Sequence, residues 1–146
     1  MDLSVVGFGC WAIGGLWWGD DVRDEDSKAA IGSALDAGIN WFDTAPLYGH
    51  GHADQVLVEA LGTRRHEVTI ATKVGVRWDA DGHHAESDLS AEYIASDIDA
   101  SLSRLGIDRI DLLQVHWPCQ RNTPLQETMS ALEAARDAGK VRYIGL

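Results

Sequence analysis

Three apolar runs in this chain each end on a single polar residue, and this repeated pattern restricts the possible folds more than any other feature. The runs are NWFD, VTIATK and IDLLQVH, and they end at Asp43, Lys73 and His116. A strand that is buried on both faces reads as a continuous apolar run, which is typical of parallel sheets covered by helices. Because α/β enzymes place their chemistry at the carboxyl ends of such strands, these three residues and the nearby Tyr48 predict a proton-transfer site.

The apolar runs alternate with segments of helical periodicity along the whole chain. In these segments apolar residues recur at helical spacing, and most of the segments end at a glycine. We predict strands over 5–9, 39–43, 68–73, 110–116 and 141–146, and helices over 24–37, 53–61, 90–105 and 124–138. Strict alternation of this kind predicts a parallel α/β fold in one domain, with no second domain.

Local signals mark the starts of the helices and one long connection. Asp24 is a predicted N-cap, Ser90 is predicted to start a helix, and Thr123 with Gln126 forms a predicted capping box. The stretch 74–89 is predicted to be a long polar loop, and loops of that length in compact domains are often functional.

Two parallel architectures fit this alternation. A doubly wound nucleotide-binding sheet needs a glycine-rich turn that leads directly into the first helix, and such a turn resembles GFGCWAIGG. However, a polar and tryptophan-rich stretch separates those glycines from Asp24. Polar residues at the ends of three successive strands instead favour a (β/α)8 TIM barrel, of which this chain supplies the first four βα units and strand five.

Composition limits the partners and the location of the chain. The 146 residues carry a formal net charge of −11, which argues against nucleic acid and against an anionic membrane surface. The two cysteines, Cys10 and Cys119, lie far apart and form no disulfide framework, so we expect a reducing, cytoplasmic location. Residues 3–18 contain no charged side chain, but they hold four glycines and are shorter than a bilayer span.

His83 and His84 lie in the predicted loop among acidic residues, where a metal site needs to be considered. The acidic residues are Asp79, Asp81, Glu86 and Asp88. Because these side chains show no ordered ligand spacing, we predict a solvated loop and no metal site.

Four segments together resemble the aldo-keto reductase family. They are VVGFGCWAIGG, NWFDTAPLYGHG, ATK and LLQVHWP, and they occur in this order across nearly the whole chain. The combination is far more specific than a glycine-rich match alone. The resemblance implies a (β/α)8 barrel and an oxidoreductase that interconverts carbonyl compounds and alcohols with NADPH, or with NADH as the alternative cofactor. It also implies a catalytic tetrad, which consists of Asp43, Tyr48, Lys73 and His116.

The tetrad makes chemical sense for carbonyl reduction, in which a hydride goes to carbon and a proton goes to oxygen. The resemblance gives Tyr48 the role of proton donor, and since phenols ordinarily have a pKa of about 10, such a donor needs a neighbouring cation. Lys73 is implied as that cation, and Asp43 as the carboxylate that keeps it charged and as a cofactor-binding residue. His116 is implied as the group that orients the substrate oxygen. Taken singly, each residue has an ordinary structural explanation, and only the combination is informative.

Tryptophans follow several predicted strand ends, which in a barrel surround the mouth of the site. We predict that four of them form an apolar wall of the substrate pocket, namely Trp17, Trp18, Trp78 and Trp117. Trp11 is predicted to pack in the core instead. The expected substrate is a small carbonyl compound or alcohol.

The chain departs from the family in its length. Complete (β/α)8 barrels typically need about 250 residues, and the loops that the family uses to hold the cofactor phosphates would follow Leu146. We therefore expect residues 1–146 to be the N-terminal part of one barrel domain and a fragment of a longer protein. Its first and fifth strands would have open apolar edges, through which we expect the chain to self-associate. The alternative is a non-catalytic remnant, or a regulatory binding protein that resembles potassium-channel β subunits.

Overall fold

Strands and helices alternate along the chain as the apolar pattern predicts. The structure is a computed structural model, and it describes residues 1–16, 18–19, 21–79, 81–82 and 84–146. These residues form two compact units, which are Met1–Ala71 and Thr72–Leu146. The strand Thr69–Val74 runs through the boundary and places buried residues in each unit.

The first unit pairs short parallel strands and covers them with amphipathic helices. Its strands are β1 (Phe8–Gly9), β2 (Trp41–Asp43) and the beginning of β3 (Thr69–Val74), and its helices are α1 (Asp24–Asp36) and α2 (His52–Leu61). The strands pair in parallel in the order β1-β2-β3, with Gly9 opposite Asp43. Phe42 of β2, Ile31 of α1 and Leu57 of α2 are fully buried, so each helix turns one apolar face to the interior.

The second unit contains the end of β3 and the elements that follow it. In chain order these are β4 (Val76–Trp78), β5 (Ala85–Ser87), α3 (Ala91–Leu105), β6 (Ile110–Val115), α4 (Leu125–Asp137) and β7 (Val141–Gly145). The sheet order is β3-β6-β7, and β6 pairs with β7 in parallel, with Ile110 opposite Val141. These two residues share one buried cluster with Ile94, Ile98 and Leu132, so α3 and α4 pack on the sheet.

Strand β1 is shorter than the predicted strand over 5–9. The Ser4 N–H donates to Asn40 Oδ1 at 2.8 Å, and the Asn40 N–H donates to Ser4 Oγ at 3.1 Å. Side chains thus take the hydrogen bonds that a backbone ladder would use, and Val5 remains exposed. Regular pairing begins at Phe8.

The prediction of a polar loop over 74–89 is wrong in part, because this stretch contains an antiparallel hairpin. Strands β4 and β5 form it, with Val76 opposite Ser87. Val76 and Ser87 are buried, whereas the adjacent Arg77 is exposed. This alternation is the pattern of a two-stranded ribbon with one buried face, and the polar composition of the intervening turn hid it from the sequence prediction.

The helix α3 starts at Ser90 as predicted, with Ser90 as its N-cap, whereas the prediction that Asp24 caps α1 is wrong. The Tyr93 N–H donates to Ser90 Oγ at 3.4 Å. Asp24 is the first residue of α1, and Arg23 holds the N-cap position in an extended conformation with no side-chain cap. In the first turn the Asp24 carboxylate still interacts favourably with the helix dipole.

The predicted capping box at the start of α4 is wrong. Pro124 occupies the N-cap position with extended backbone angles, and the helix begins at Leu125. The Thr123 N–H instead donates to Cys119 Sγ at 3.2 Å, which draws this residue into the preceding loop. Leu125 is therefore 69% exposed, while Leu132, further along the helix, is fully buried.

None of the helices within the described ranges is both long and apolar enough to cross a membrane. In that part of the chain no group of three or more His, Cys, Asp or Glu side chains has the arrangement of a metal site. His83, which the sequence places among acidic residues, lies outside the described residues.

Candidate active site

Asp43 stands at the carboxyl end of β2 in the first unit. It is the last residue of that strand and is half-buried. Its carbonyl oxygen accepts the Cys10 N–H at 2.8 Å, and the Thr44 N–H donates to Ala71 O at 2.9 Å. These bonds continue the parallel ladder to the end of β2, so the position of Asp43 is fixed from both neighbouring strands.

The turn that leads from Asp43 to Tyr48 is anchored by a buried hydrogen bond. Thr44 Oγ1 donates to Asp54 Oδ1 at 2.7 Å, and both residues are fully buried. Hydrogen bonds to a carboxylate are among the stronger ones in proteins. Because Asp54 lies in the first turn of α2, this bond ties the turn before Tyr48 to the helix that follows it.

Tyr48 is followed by a chain reversal in which three successive residues have positive φ. Gly49, His50 and Gly51 have φ values of 59°, 52° and 91°. The backbone of Gly14 packs directly against this reversal. A Cβ atom on Gly14 would lie 2.7 Å from the Tyr48 carbonyl carbon, and one on Gly49 would lie 2.2 Å from Gly14 O. Tyr48 is therefore supported by a backbone-to-backbone contact that any added side chain would break.

The prediction that Trp11 packs in the core is wrong. It is 47% exposed, and its ring stacks on the Tyr48 ring at a centroid distance of 6.3 Å and an interplanar angle of 28°. Trp18 is also exposed, and its ring packs edge to face against the Trp11 ring with 5.4 Å between the ring centroids. One sequence signal could have found this residue, because Trp11 follows β1 after a single residue, just as Trp117 follows β6.

The second unit places Lys73 and His116 on neighbouring strands. Lys73 is half-buried in β3, and His116 directly follows β6. The His116 N–H donates to Val74 O at 3.1 Å, so the carboxyl ends of β3 and β6 lie side by side. The ring centroids of Trp117 and His116 lie 5.6 Å apart, and the interplanar angle is 42°. An ammonium, an imidazole and an indole thus project from adjacent strand ends.

The remaining tryptophans of the predicted pocket have different surroundings. Trp78 ends β4 and lines a small cavity of about 90 Å³ together with Arg77, Asp79, His84 and Glu86. The surroundings of Trp78 within the second unit are therefore mainly polar. Trp17 lies outside the described residues.

The chain is similar to known aldo-keto reductases in sequence and in structure. The model of the aldo/keto reductase family matches residues 5–146. The aldo-keto reductase YhdN of Bacillus subtilis is 37% identical over the whole chain, and the NADH-specific methylglyoxal reductase of Escherichia coli is 38% identical over 99% of it. The solved structure of aldo-keto reductase AKR11C1 from Bacillus halodurans, in its holo form, matches 99% of the chain with a TM-score of 0.88 at 34% identity.

The same matches relate the length of the chain to that of complete family members. The chain covers 44% of the B. subtilis protein, 48% of the E. coli protein and 46% of the B. halodurans structure. They confirm the predicted fold class, which is the first part of a parallel (β/α)8 barrel. Because the family model extends over nearly every residue, the chain belongs to the aldo-keto reductase family.

Proposed function

We propose that the protein reduces aldehydes or ketones to alcohols, or catalyses the reverse reaction, by hydride transfer from NAD(P)H with Tyr48 as the proton donor. The observation that carries the proposal is the presence of acid–base residues at three parallel strand ends. Asp43 ends β2, Lys73 lies near the end of β3 and His116 follows β6. Barrel enzymes hold their catalytic groups at this end of their strands. Membership of a family of oxidoreductases supports the reaction class.

Tyr48 supplies the proton in this proposal. The nicotinamide cofactor would supply the hydride, which no side chain can provide. Negative charge develops on the carbonyl oxygen during reduction, and the phenol O–H of Tyr48 donates its proton to that oxygen. In the direction of alcohol oxidation, the phenolate takes the proton back.

The other three residues of the tetrad support this transfer. An ammonium stabilises the phenolate form of a neighbouring tyrosine, which is the role that we assign to Lys73. The carboxylate of Asp43 keeps that ammonium charged, because an unpaired ammonium in a dry site tends to lose its proton. His116 donates a hydrogen bond to the substrate oxygen and fixes its orientation.

Aromatic rings would contact the apolar part of the substrate. Trp11 stands beside Tyr48 and Trp18 beside Trp11 in the first unit, and Trp117 stands beside His116 in the second. Rings of this kind bind small apolar or planar compounds, and the bound compound needs few polar substituents. Methylglyoxal is a suitable probe, because the E. coli relative is a methylglyoxal reductase by name.

The polar side chains of the first unit fit the nicotinamide end of the cofactor rather than its phosphates. The half-buried carboxylate of Asp43 accepts hydrogen bonds, as ribose hydroxyls and a carboxamide require. Phosphates require cations, but the described basic side chains of this unit are already engaged. The pairs are Arg23 with Asp26, Lys28 with Glu59, Arg64 with Asp36 and Glu67, and Arg65 with the Val68 carbonyl. NADPH is the cofactor that we propose, with NADH as the alternative because the E. coli relative is NADH-specific by name.

The setting of the site is proposed on similar grounds. One family model runs through both compact units, which supports the proposal that residues 1–146 are the N-terminal part of one barrel domain. In the described residues β1 and β7 each have one strand neighbour, and Val6 and Tyr143 beside these edges are exposed, so we propose self-association along them. Sedimentation should show dimers or larger species, and a monomer at every concentration would contradict this part. A reducing, cytoplasmic location agrees with the free thiols of Cys10 and Cys119.

Carbonyl reduction by the protein expressed from its own gene tests the main proposal. With methylglyoxal and NADPH or NADH, we expect the parent to oxidise the cofactor and Tyr48→Phe to lower kcat by about 10²–10⁴-fold, because the general acid is lost. Tyr143→Phe is the control, since it changes an exposed tyrosine on β7 and should keep the parent's kcat. A Tyr48→Phe variant with the parent's kcat would contradict the assignment of the proton donor.

A second variant tests the role of the ammonium. Lys73→Met should lower kcat and also shift the pH profile, because the phenol would lose its charged neighbour. If the parent oxidises no cofactor with any aldehyde or ketone in a broad panel, the reaction class itself is wrong.

A further inference from the structure

The loop that begins at His116 is fastened to the hairpin of β4 and β5 in the second unit. The Ser87 N–H donates to Gln120 Oε1 at 3.0 Å, and the Gln120 N–H donates to Ser87 Oγ at 2.8 Å. Each side chain thus binds the backbone of the other residue, which specifies one position of the loop on the hairpin. Ser87 is fully buried whereas Gln120 is exposed, so these bonds are partly shielded from water.

Two arginines and two carboxylates also connect this loop to the hairpin of β4 and β5. Arg77 of the hairpin lies 3.3 Å from Glu86 Oε1 and 3.2 Å from Asp88 Oδ2. Arg121 of the loop binds the same two carboxylates, with 3.4 Å to Asp88 Oδ2. The four charges cancel, and a network of shared pairs is more effective than isolated surface pairs because each side chain is already ordered by another.

Asp88 joins this network to helix α3. Its Oδ1 accepts the Ser90 hydroxyl at 2.7 Å and the Ser90 N–H at 3.2 Å. The Asp88 N–H donates to Gly75 O at 2.9 Å, at the start of the hairpin. The side chain is 10% exposed, so these partners rather than water balance its charge.

These contacts define what we call the hairpin clamp, which consists of Arg77, Glu86, Ser87, Asp88, Gln120 and Arg121. We propose that the hairpin clamp positions the carbonyl-binding groups of the second unit, and that Gln120 and Arg121 act on the reaction through His116 and Trp117. This inference rests on the function proposed above. It assigns a role to residues that do not touch the reacting atoms.

The segment from His116 to Gln120 is fixed at both ends, which makes this coupling direct. At one end the His116 N–H donates to Val74 O at 3.1 Å, and at the other end Gln120 is held by the hairpin clamp. Between them Pro118 fixes one backbone angle. Because the segment between these two points is short, a displacement of the hairpin clamp also displaces the ring of Trp117, which lies beside His116.

Loosening the hairpin clamp should weaken substrate binding more than it slows proton transfer. The ring of Trp117 would contact the apolar part of the carbonyl compound before and during the reaction, so its displacement removes binding that is common to the ground state and the transition state, whereas the backbone of His116 keeps its bond to Val74 O. Such a loss raises KM and leaves kcat nearly unchanged. The proton donor, Tyr48, belongs to the first unit, whereas every residue of the hairpin clamp belongs to the second.

Arg121→Gln and Gln120→Ala in the full chain test this inference. We expect KM for methylglyoxal to rise about tenfold while kcat stays within about twofold of the parent. In NMR spectra of the same variants, the ring resonances of His116 and the indole N–H resonance of Trp117 should shift. Arg136→Gln is the matched control, because it breaks an exposed pair with Asp137 in α4 and should change neither readout. Arg121→Lys keeps the charge and should restore part of both.

Unmoved His116 and Trp117 resonances together with an unchanged KM in both variants would overturn the inference. Equal changes in Arg136→Gln would also overturn it, because the effect would then not depend on the hairpin clamp. Failure of the proposed function looks different. If the parent reduces no carbonyl compound, that function is wrong, and the NMR resonances alone decide whether the hairpin clamp positions the two rings.

Discussion

Tyr48 and His116 are held in place by two different kinds of contact. Around Tyr48 in the first unit the support comes from shape, since the Gly14 and Gly49 backbones touch and the Trp11 ring lies on the Tyr48 ring. Around His116 in the second unit it comes from charge and hydrogen bonding through the hairpin clamp. Both arrangements serve the same need, which is to hold a proposed acid–base or orienting side chain still.

The two kinds of support should fail in different ways. A backbone contact at van der Waals distance has no slack, so one added methyl group disrupts it, although salt and acid leave it unchanged. An ion-pair network tolerates conservative changes, but it weakens in salt and loses its carboxylate charges in acid. The comparison therefore predicts opposite sensitivities for the Tyr48 turn and the loop after His116.

Gly49→Ala should have the largest effect on stability. A Cβ atom there would lie 2.2 Å from Gly14 O, and the residue has a φ of 59°, which L-residues rarely adopt. We expect a loss of about 3 kcal/mol or more in the free energy of unfolding, measured by urea denaturation. Gly32→Ala is the control, because its methyl group would meet open space in α1 and should stabilise the protein by about 0.5–1 kcal/mol. Similar effects at the two glycines would show that the backbone contact gives Tyr48 no support.

Asp88→Asn should have the next largest effect, because it removes one of the two carboxylates that both arginines share, and the more buried of the two. We expect a loss of about 2 kcal/mol, since two partly buried hydrogen bonds from Ser90 and the charge balance of Arg77 and Arg121 are disturbed. Asp99→Asn is the matched control, because this exposed partner of Lys140 should change stability by less than about 0.5 kcal/mol. If both variants unfold at the parent's urea concentration, the hairpin clamp contributes nothing to the fold.

Acid should weaken the hairpin clamp through the same carboxyl group. Burial, the largest single influence, raises the pKa of Asp88, but hydrogen bonds from Ser90 and Arg77 and the charge of Arg121 outweigh it, so the pKa falls below the ordinary 3.8. A carboxyl group whose pKa is lower in the folded state stabilises the fold above its unfolded pKa. That stabilisation is lost as the pH falls through the folded pKa. Between about pH 5 and pH 2 the parent should therefore lose more stability than Asp88→Asn. Parallel pH profiles for the two proteins would contradict this account of the charge.

Two buried threonines in the second unit should give the smallest effects, with opposite signs. Thr128 Oγ1 donates to Leu89 O at 3.0 Å, whereas Thr72 Oγ1 has no hydrogen-bond partner within the described residues. Substitution by valine keeps the shape of the side chain and removes the hydroxyl. Thr128→Val should cost about 1 kcal/mol, and Thr72→Val should stabilise by up to about 1 kcal/mol. Equal losses in both would mean that hydrogen bonding does not distinguish the two sites.

The parts of the fold that repeat a local pattern could be predicted from the sequence. The apolar runs that contain or precede Asp43, Lys73 and His116 form β2, β3 and β6. These strands could be predicted because a strand buried on both faces requires a continuous apolar sequence. The family is confirmed for a related reason, since contiguous motifs carry the resemblance.

The remaining features depend on contacts between distant segments, which periodicity does not encode. Ser87 and Gln120 bind each other although 33 residues separate them, and each lies in a stretch that reads as a polar loop. The apolar ring of Trp11 suggests a core position, whereas its contact with Tyr48 depends on the fold, which the sequence pattern does not encode. The capping box at Thr123 failed because a local rule competed with the bond between Thr123 and Cys119.

Amide hydrogen exchange in low and high salt compares the two kinds of support within one protein. The amides to follow are those of residues 48–51, after the Tyr48 turn, and of residues 117–123, in the loop that the hairpin clamp holds. At about 1 M salt, where charges are screened within about 3 Å, we expect exchange over 117–123 to accelerate by about tenfold and exchange over 48–51 to keep its rate. Equal acceleration in both segments, or no acceleration over 117–123, would contradict the claim that charge holds one segment and shape holds the other.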